Sequence, residues 1–382
     1  MSYWIEQTAG DVDAFKTLVS TETKAADYPL AASIQKSIPI YDGGLVRDMA
    51  RTPQQAHALK SEFIRSFGHG PGIIVIKNGL NKPDVIDRAT EVFEQMIDAQ
   101  NAAGAATGDH FAKPGSNDRV WNAAEKHCVA DPANFAAYYA CDGIALPSAA
   151  WLGAGYQITA QVNRVNPGGT AQTAHRDYHL GFMSSVQAAK YPAHIHALSP
   201  ALTLQGAIVH RDMPIESGPT MLLPYSQLCA EGYLAFERPE FQQVFAGHHV
   251  QLPMEKGDLL FFNPAVMHGA GNNTTRDIYR FGNLLQVGSG FGRSIETVDR
   301  TKMSVALYPE LVKGQMDAHD LDLVIAASAE GYPFPTNLDL DPPVGGMAPM
   351  SQADRLRQAL TDGMTAADFA GMMERYDARR RS

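Results

Sequence analysis

Between about residue 155 and residue 290 the chain breaks into short strand-type runs with little room for helices between them. YQITAQVNRV, ALTLQGAIVH, TMLLP, HHVQLP, GDLLFF and YRFGNLLQVG are the clearest, and Gly, Pro and Asn punctuate the gaps. Parallel strands need long crossover connections, so strands this closely spaced pair antiparallel. The pattern predicts a mainly β sandwich or jelly roll at the centre of the molecule. The flanks read differently. Residues 1–60 carry mostly helical patterns broken by Pro29, Pro39 and Gly43-Gly44. The apolar run Ile73 to Ile76 between glycines reads as a strand. KPDVIDRATEVFEQMIDAQ repeats its apolar residues at helical spacing, with Asp84 placed to begin the helix after Pro83. Beyond residue 300 the pattern is helical again, with Ser351 and Thr365 as N-caps. One domain over residues 1–382 is expected: an N-terminal helical and strand region to 150, a β core over 151–290, and a helical extension over 291–382.

Composition narrows the function classes. The formal net charge is -10, which argues against a nucleic-acid surface, since phosphate binding needs a concentrated Lys/Arg field. The one basic run, Arg379-Arg380-Arg381, reads as a solvated tail. The N-terminus lacks a basic start followed by an apolar stretch, and no window is apolar enough to span a membrane. Cys128, Cys141 and Cys229 are widely spaced without a CxxC pair, so reduced, buried side chains in a cytoplasmic protein are expected. Residues 105–125 are polar and Gly/Pro-rich; with His110, Lys113, Asn117, Arg119 and Trp121 they form either a loop over a pocket or a solvated connection.

The strongest chemical signal is QTAHRDYHLGF. In extended structure His175 and Asp177 leave the same face. A second His from a distant strand completes a 2-His-1-carboxylate set, which leaves iron with open positions for a chelating cosubstrate and O2. His268, after the strand GDLLFF, is the candidate. A second HxD, His210-Arg211-Asp212, shows that the dipeptide spacing alone is weak. Arg280 follows on the last strand with small Gly282 on its face. An inward guanidinium needs an anionic partner, which the far carboxylate of 2-oxoglutarate supplies.

FGHGPGIIVIKNGL, NRVNPGGTAQTAHRDYH, IESGPTMLLPYSQ and GDLLFFNPAVMHGAGNNTTRDIYRFG together resemble the phytanoyl-CoA dioxygenase family, from about Phe67 to Val287. The resemblance implies a double-stranded β-helix (jelly roll, cupin-like) core with flanking helices, and a single catalytic domain. It also implies Fe(II) at His175, Asp177 and His268, and 2-oxoglutarate anchored by the Arg after the distal His. Arg280 lies one residue further from His268 than the family's usual spacing, and Arg276 is the rival. Gln161, Asn163 and Thr220 are expected as cosubstrate-side residues. O2 is the oxidant and succinate and CO2 the coproducts. The resemblance implies hydroxylation of an aliphatic C–H in a small-molecule metabolite. Desaturation, epimerisation, ring rearrangement and a redox-neutral cupin-like metalloenzyme stay open, as does a non-catalytic barrel. Asp177 disfavours a halogenase, which keeps that position vacant. No basic cluster suits acyl-CoA, so a small polar or secondary metabolite is expected, with no nucleic-acid or membrane partner and a homodimer as the candidate assembly. His179 is expected either beside the substrate or capping a loop. His194 and His196 read as a surface or dimer-packing pair on a strand, and Lys113, Arg119 and Arg176 as candidate receivers of an anionic group.

Overall fold

The structure, a computed structural model, describes residues 3–104 and 115–381. Its strands are β1 (Ser33–Gln35), β2 (Ile38–Asp42), β3 (Ile73–Lys77), β4 (Asn117–Val120), β5 (Gln157–Val165), β6 (Thr203–Val209), β7 (Met221–Leu222), β8 (Leu259–Phe262), β9 (His268–Gly269) and β10 (Arg280–Gly288). Eight of them form one large sheet in the order β1-β2-β3-β8-β6-β10-β5-β4, and β7 pairs with β9 in a second, short ladder. The large sheet is mixed: β2 and β3 run parallel, and every other neighbouring pair antiparallel.

Register divides the sheet into two faces. Gly282 lies opposite Asn163 and Val209, Leu284 opposite Gln161 and Ala207, and Gln286 opposite Thr159 and Gln205. Side chains alternate along a strand, so these residues share one face while Phe281, Leu285 and Val287 take the other. The second face is mostly apolar, with Asn283 among its few polar residues, and lies under helices. Ile74, Ile158, Val162, Leu204, Phe261, Phe281 and Val287 form one buried cluster with Phe63, Phe93, Leu307, Val324 and Phe369 from the flanking helices. The first face is divided. Towards β3 and β8 it is an apolar floor of Ile73, Val75, Val209, Leu260 and Phe262, packed against Leu222, Leu252 and Met254. Towards β5 and β10 it turns polar.

Isolated bridges extend the short ladder: His175 pairs with His268 and Leu222 with Val250. Four segments distant in sequence thus lie side by side over the inner face of the large sheet.

The helices follow their sequence signals. Pro83–Ala102 buries Ile86, Ala89, Phe93 and Ile97 on one side, an amphipathic stripe facing the sheet. It begins at Pro83 itself, with Lys82 as its cap, rather than at Asp84. Ser351 makes a reciprocal capping box with Asp354, and Thr365 accepts from the Asp368 amide.

Elsewhere the structure differs from expectation. Residues 1–60 contain the hairpin β1–β2, hidden because Pro39 stands inside β2 and Lys36 and Ser37 turn the chain at positive φ. The 105–125 segment carries β4 at the sheet edge; residues 105–114, with His110 and Lys113, lie outside the described residues. Arg379 and Arg380 are no loose tail: the helix Ala366–Arg380 includes both, and Arg380 pairs with Glu330 at 2.9 Å. His194 and His196 sit on the helix Ala193–Leu198, where His196 is buried against the Ala188 carbonyl. Cys128, Cys141 and Cys229 are free thiols. Among the described residues no helix is long and apolar enough to cross a membrane.

Candidate metal centre

His175 and His268 are brought together by backbone hydrogen bonds in both directions, 2.9 Å from the His175 amide and 3.1 Å from the His268 amide. That pairing places two side chains from remote parts of the chain against each other. The imidazoles are then fixed individually. His175 Nδ1 lies 2.8 Å from the Thr173 carbonyl and His268 Nδ1 2.9 Å from the Val266 carbonyl. A carbonyl only accepts, so each Nδ1 carries the proton and each Nε2 presents its lone pair. Both Nε2 atoms face Asp177, at 3.6 Å from Oδ1 for His175 and 3.5 Å from Oδ2 for His268. One ligand atom from each of the three residues lies within 4.8 Å of the others.

Asp177 is held as firmly. Its amide donates to the Pro264 carbonyl at 3.1 Å, and Gln205 Nε2 donates to its Oδ2 at 2.7 Å. Two neutral imidazoles and one carboxylate, with bonds outside the set fixing each of them, make a donor set suited to a divalent cation.

These groups open on a cavity of about 360 Å³ whose other walls include Trp121, Phe182, Phe262, Leu284 and Ile295. A smaller apolar cavity of about 50 Å³ adjoins it, sharing Ala207, Thr220 and Leu284, and reaches Gly282. Arg280 shares the face of Gly282 and Leu284, at the near end of β10. It is buried, no acceptor reaches its Nη1, and no carboxylate among the described residues pairs with it. Burial and the nearby Arg119 push its pKa down to about 10, which leaves it cationic at neutral pH.

By structure, the chain is similar over part of its length to the non-heme alpha-ketoglutarate-dependent epimerase SnoN from nogalamycin biosynthesis, at 17% identity and TM-score 0.41, covering 63% of this chain and 84% of that one. For AviO1 from Streptomyces viridochromogenes Tue57 the identity is 19% and the TM-score 0.45, covering 62% and 97%. For the carbocyclase SnoK, also from nogalamycin biosynthesis, they are 18% and 0.43, covering 62% and 86%. No curated protein matches the sequence. A family model for phytanoyl-CoA dioxygenase (PhyH) matches residues 42–282. The chain belongs to the phytanoyl-CoA dioxygenase family.

It is therefore an Fe(II)/2-oxoglutarate-dependent oxygenase, and its residues fit both cofactors. The His/Asp/His set suits iron, and a buried guanidinium without an acceptor at Nη1 suits a dicarboxylate. The remaining expected residues of the oxygenase fall unevenly. Gln161, Asn163 and Thr220 all line the cavity. Gln161 Oε1 accepts from Arg119 at 3.0 Å and Asn163 Oδ1 from Asn117 Nδ2 at 3.0 Å, so part of their hydrogen-bonding capacity is spent within the sheet. Arg276 is exposed. His210 is buried away from the site between Thr90 and Tyr138. His179 does not continue a strand; it opens a 3-10 turn and bonds the Arg293 carbonyl at 2.7 Å, and is not among the residues lining the cavity. Arg176 is fully buried over the Tyr233 ring, leaving no surface charge. Gln205 and Gln286 went unnoticed in the sequence. Each sits in a run of apolar strand residues, and only the register of β6 against β10 shows that both face the metal ligands.

Proposed function

We propose that this oxygenase hydroxylates an aliphatic C–H bond of a small-molecule metabolite, with iron held by Nε2 of His175, Nε2 of His268 and a carboxylate oxygen of Asp177. The observation that carries the reading is the convergence of these three fixed donors on one cavity, with the buried cation of Arg280 on the same sheet face. Arg280 would receive the far carboxylate of 2-oxoglutarate. Gly282, lacking a side chain, leaves the way open between Arg280 and the metal end. Gln161, Asn163 and Thr220 would line the cosubstrate. We further read the large sheet and the short ladder as the two sheets of a double-stranded β-helix, since their facing sides enclose the site.

When bound, iron supplies the oxidising chemistry by which O2 and 2-oxoglutarate become CO2, succinate and a substrate hydroxyl. The chain's own part is to bind, to orient and to keep the pocket dry. The paired carbonyls of Thr173 and Val266 keep both imidazoles in the metal-binding tautomer. Phe262, Leu284 and Ile295 form apolar wall around the reacting end. Desaturation, epimerisation and ring closure start from the same site, and the mass of the product separates them from hydroxylation. A redox-neutral metalloenzyme would have no use for the Arg280 cation.

Anaerobic titration of Fe(II)-loaded protein with 2-oxoglutarate tests the assignment. The expected outcome is a saturable visible charge-transfer band, absent in His268→Ala. Bound iron without such a band would sink the cosubstrate reading.

A further inference from the structure

Gln205 does two things at once. Its Nε2 donates to Asp177 Oδ2 at 2.7 Å, and the carboxylate accepts only, so this hydrogen bond decides which end of the amide is which. An amide turned this way must point its oxygen elsewhere. Gln205 Oε1 is buried and no donor among the described residues reaches it, although the residue is only 7% exposed and lines the cavity. Directly across the ladder stands Gln286, also a cavity residue, whose Oε1 is buried and equally without a donor. Opposed residues on antiparallel strands hold their Cβ atoms about 5 Å apart, so the two amides leave neighbouring positions of one wall, that of Gln205 touching a metal ligand. A buried acceptor left unmade is costly, and two of them in one wall need a donor from whatever fills the cavity. 2-Oxoglutarate brings none, because its keto and carboxylate oxygens only accept.

We propose that Gln205 and Gln286 form a substrate subsite that receives a hydrogen-bond donor, a hydroxyl or a protonated amine, carried on an apolar body. This rests on the reading of the cavity as the oxygenase active site, and it adds the chemical class of the substrate. The body is indicated by the apolar lining of Trp121, Phe182 and Ile295, and by Leu284, which neighbours Gln286 on the same face of β10. Because Gln205 also grips Asp177, a substrate donor seated on its Oε1 lies one residue from a metal ligand. The C–H bonds nearest that donor are then the ones presented for oxidation.

The test uses four probes with one phenylethyl body: 2-phenylethanol, 2-phenylethylamine, the methyl ether of the alcohol, and ethylbenzene. Their binding to Fe(II)-loaded protein, saturated with 2-oxoglutarate and kept free of O2, is measured by calorimetry. The alcohol or the amine is expected to bind roughly tenfold tighter than the ether and the hydrocarbon, the value of one net hydrogen bond. Which of the two leads tells hydroxyl from ammonium. The preference should shrink in Gln286→Leu, which leaves the Asp177 contact intact, and vanish in Gln205→Met. Equal binding of all four probes, no binding by any, or a preference unchanged in Gln286→Leu would overturn the proposal. Repeating the series with Zn(II)-loaded protein and no 2-oxoglutarate separates the two readings. A donor preference there, beside a missing charge-transfer band, would fault the cosubstrate assignment and leave the subsite standing.

Discussion

Arg280 is the residue whose energetics most depend on a ligand. A guanidinium buried with an open Nη1 and no carboxylate partner among the described residues is an unfavourable arrangement until an anion arrives. Arg280→Ala should therefore raise the 2-oxoglutarate concentration needed for half-saturation of the charge-transfer band by a factor on the order of 100, from the loss of a bidentate charged contact of about 3 kcal/mol. Arg276→Ala, at an exposed position, should leave it unchanged. The pH dependence has a definite sign. Since the Arg280 pKa is held down to about 10, the affinity contributed by its charge is present at neutral pH and lost as pH rises through that value. Single residues were legible in the sequence where a short motif fixed them. His175 and Asp177 announced themselves by spacing, and His268 by its place after an apolar strand. Arg280 was narrowed to two choices, because the turn Asn272 to Thr275 sets the register of β10 and that turn has no unique length signature. Gln205 was invisible, since its role exists only through a partner on another strand.

At the level of elements, strands with strong apolar runs were readable and edge strands were not. β3, β5, β6, β8 and β10 coincide closely with the runs that suggested them. β1 and β4 are the two edges and β2 lies beside β1; all three are short, β2 carries proline and β4 charge, and they take their strand form from a neighbour's backbone, an influence outside the local sequence. Under β10 a buried polar chain ties elements together: Thr90 Oγ1 to His210 Nδ1 at 2.8 Å, His210 Nε2 to Tyr138 at 2.7 Å, and Asn283 to Tyr138 at 3.2 Å. Nearby His127 bonds Asn134 at 2.8 Å. Burial pushes the His210 pKa down to about 3 and that of His127 to about 4. Both stay neutral when folded but take up protons when unfolded at mildly acid pH. Stability they contribute is thus complete above the ordinary histidine pKa and lost as pH falls towards 4. The melting temperature should drop steeply over that range, and less steeply in a His127→Gln variant; parallel curves would show that carboxylates alone set the acid limit. In the C-terminal region, Ser351→Ala removes one side of a capping box and should cost about 1 kcal/mol, read as a lowered melting temperature.

On the scale of the whole molecule, the family match ends at residue 282 but the core does not. Met303, Leu307, Tyr308, Val324, Ile325, Leu356, Phe369 and Met373 belong to the same buried cluster as the outer face of the sheet. Arg300 reaches in to donate to the Ile158 carbonyl of β5 at 2.7 Å. A chain ending at residue 290 would expose that face, and should be insoluble or unfold without a cooperative transition; a soluble, cooperatively unfolding fragment would show the C-terminal helices to be dispensable. The mutual backbone bonds of His175 and His268, with their Nδ1 atoms tied to Thr173 and Val266, use protein atoms alone. The proposed receptor for iron is thus held in shape by bonds that do not involve the metal. Filling it should then be an equilibrium set apart from folding, so that a chelator which strips the iron leaves a cooperative melting transition in place.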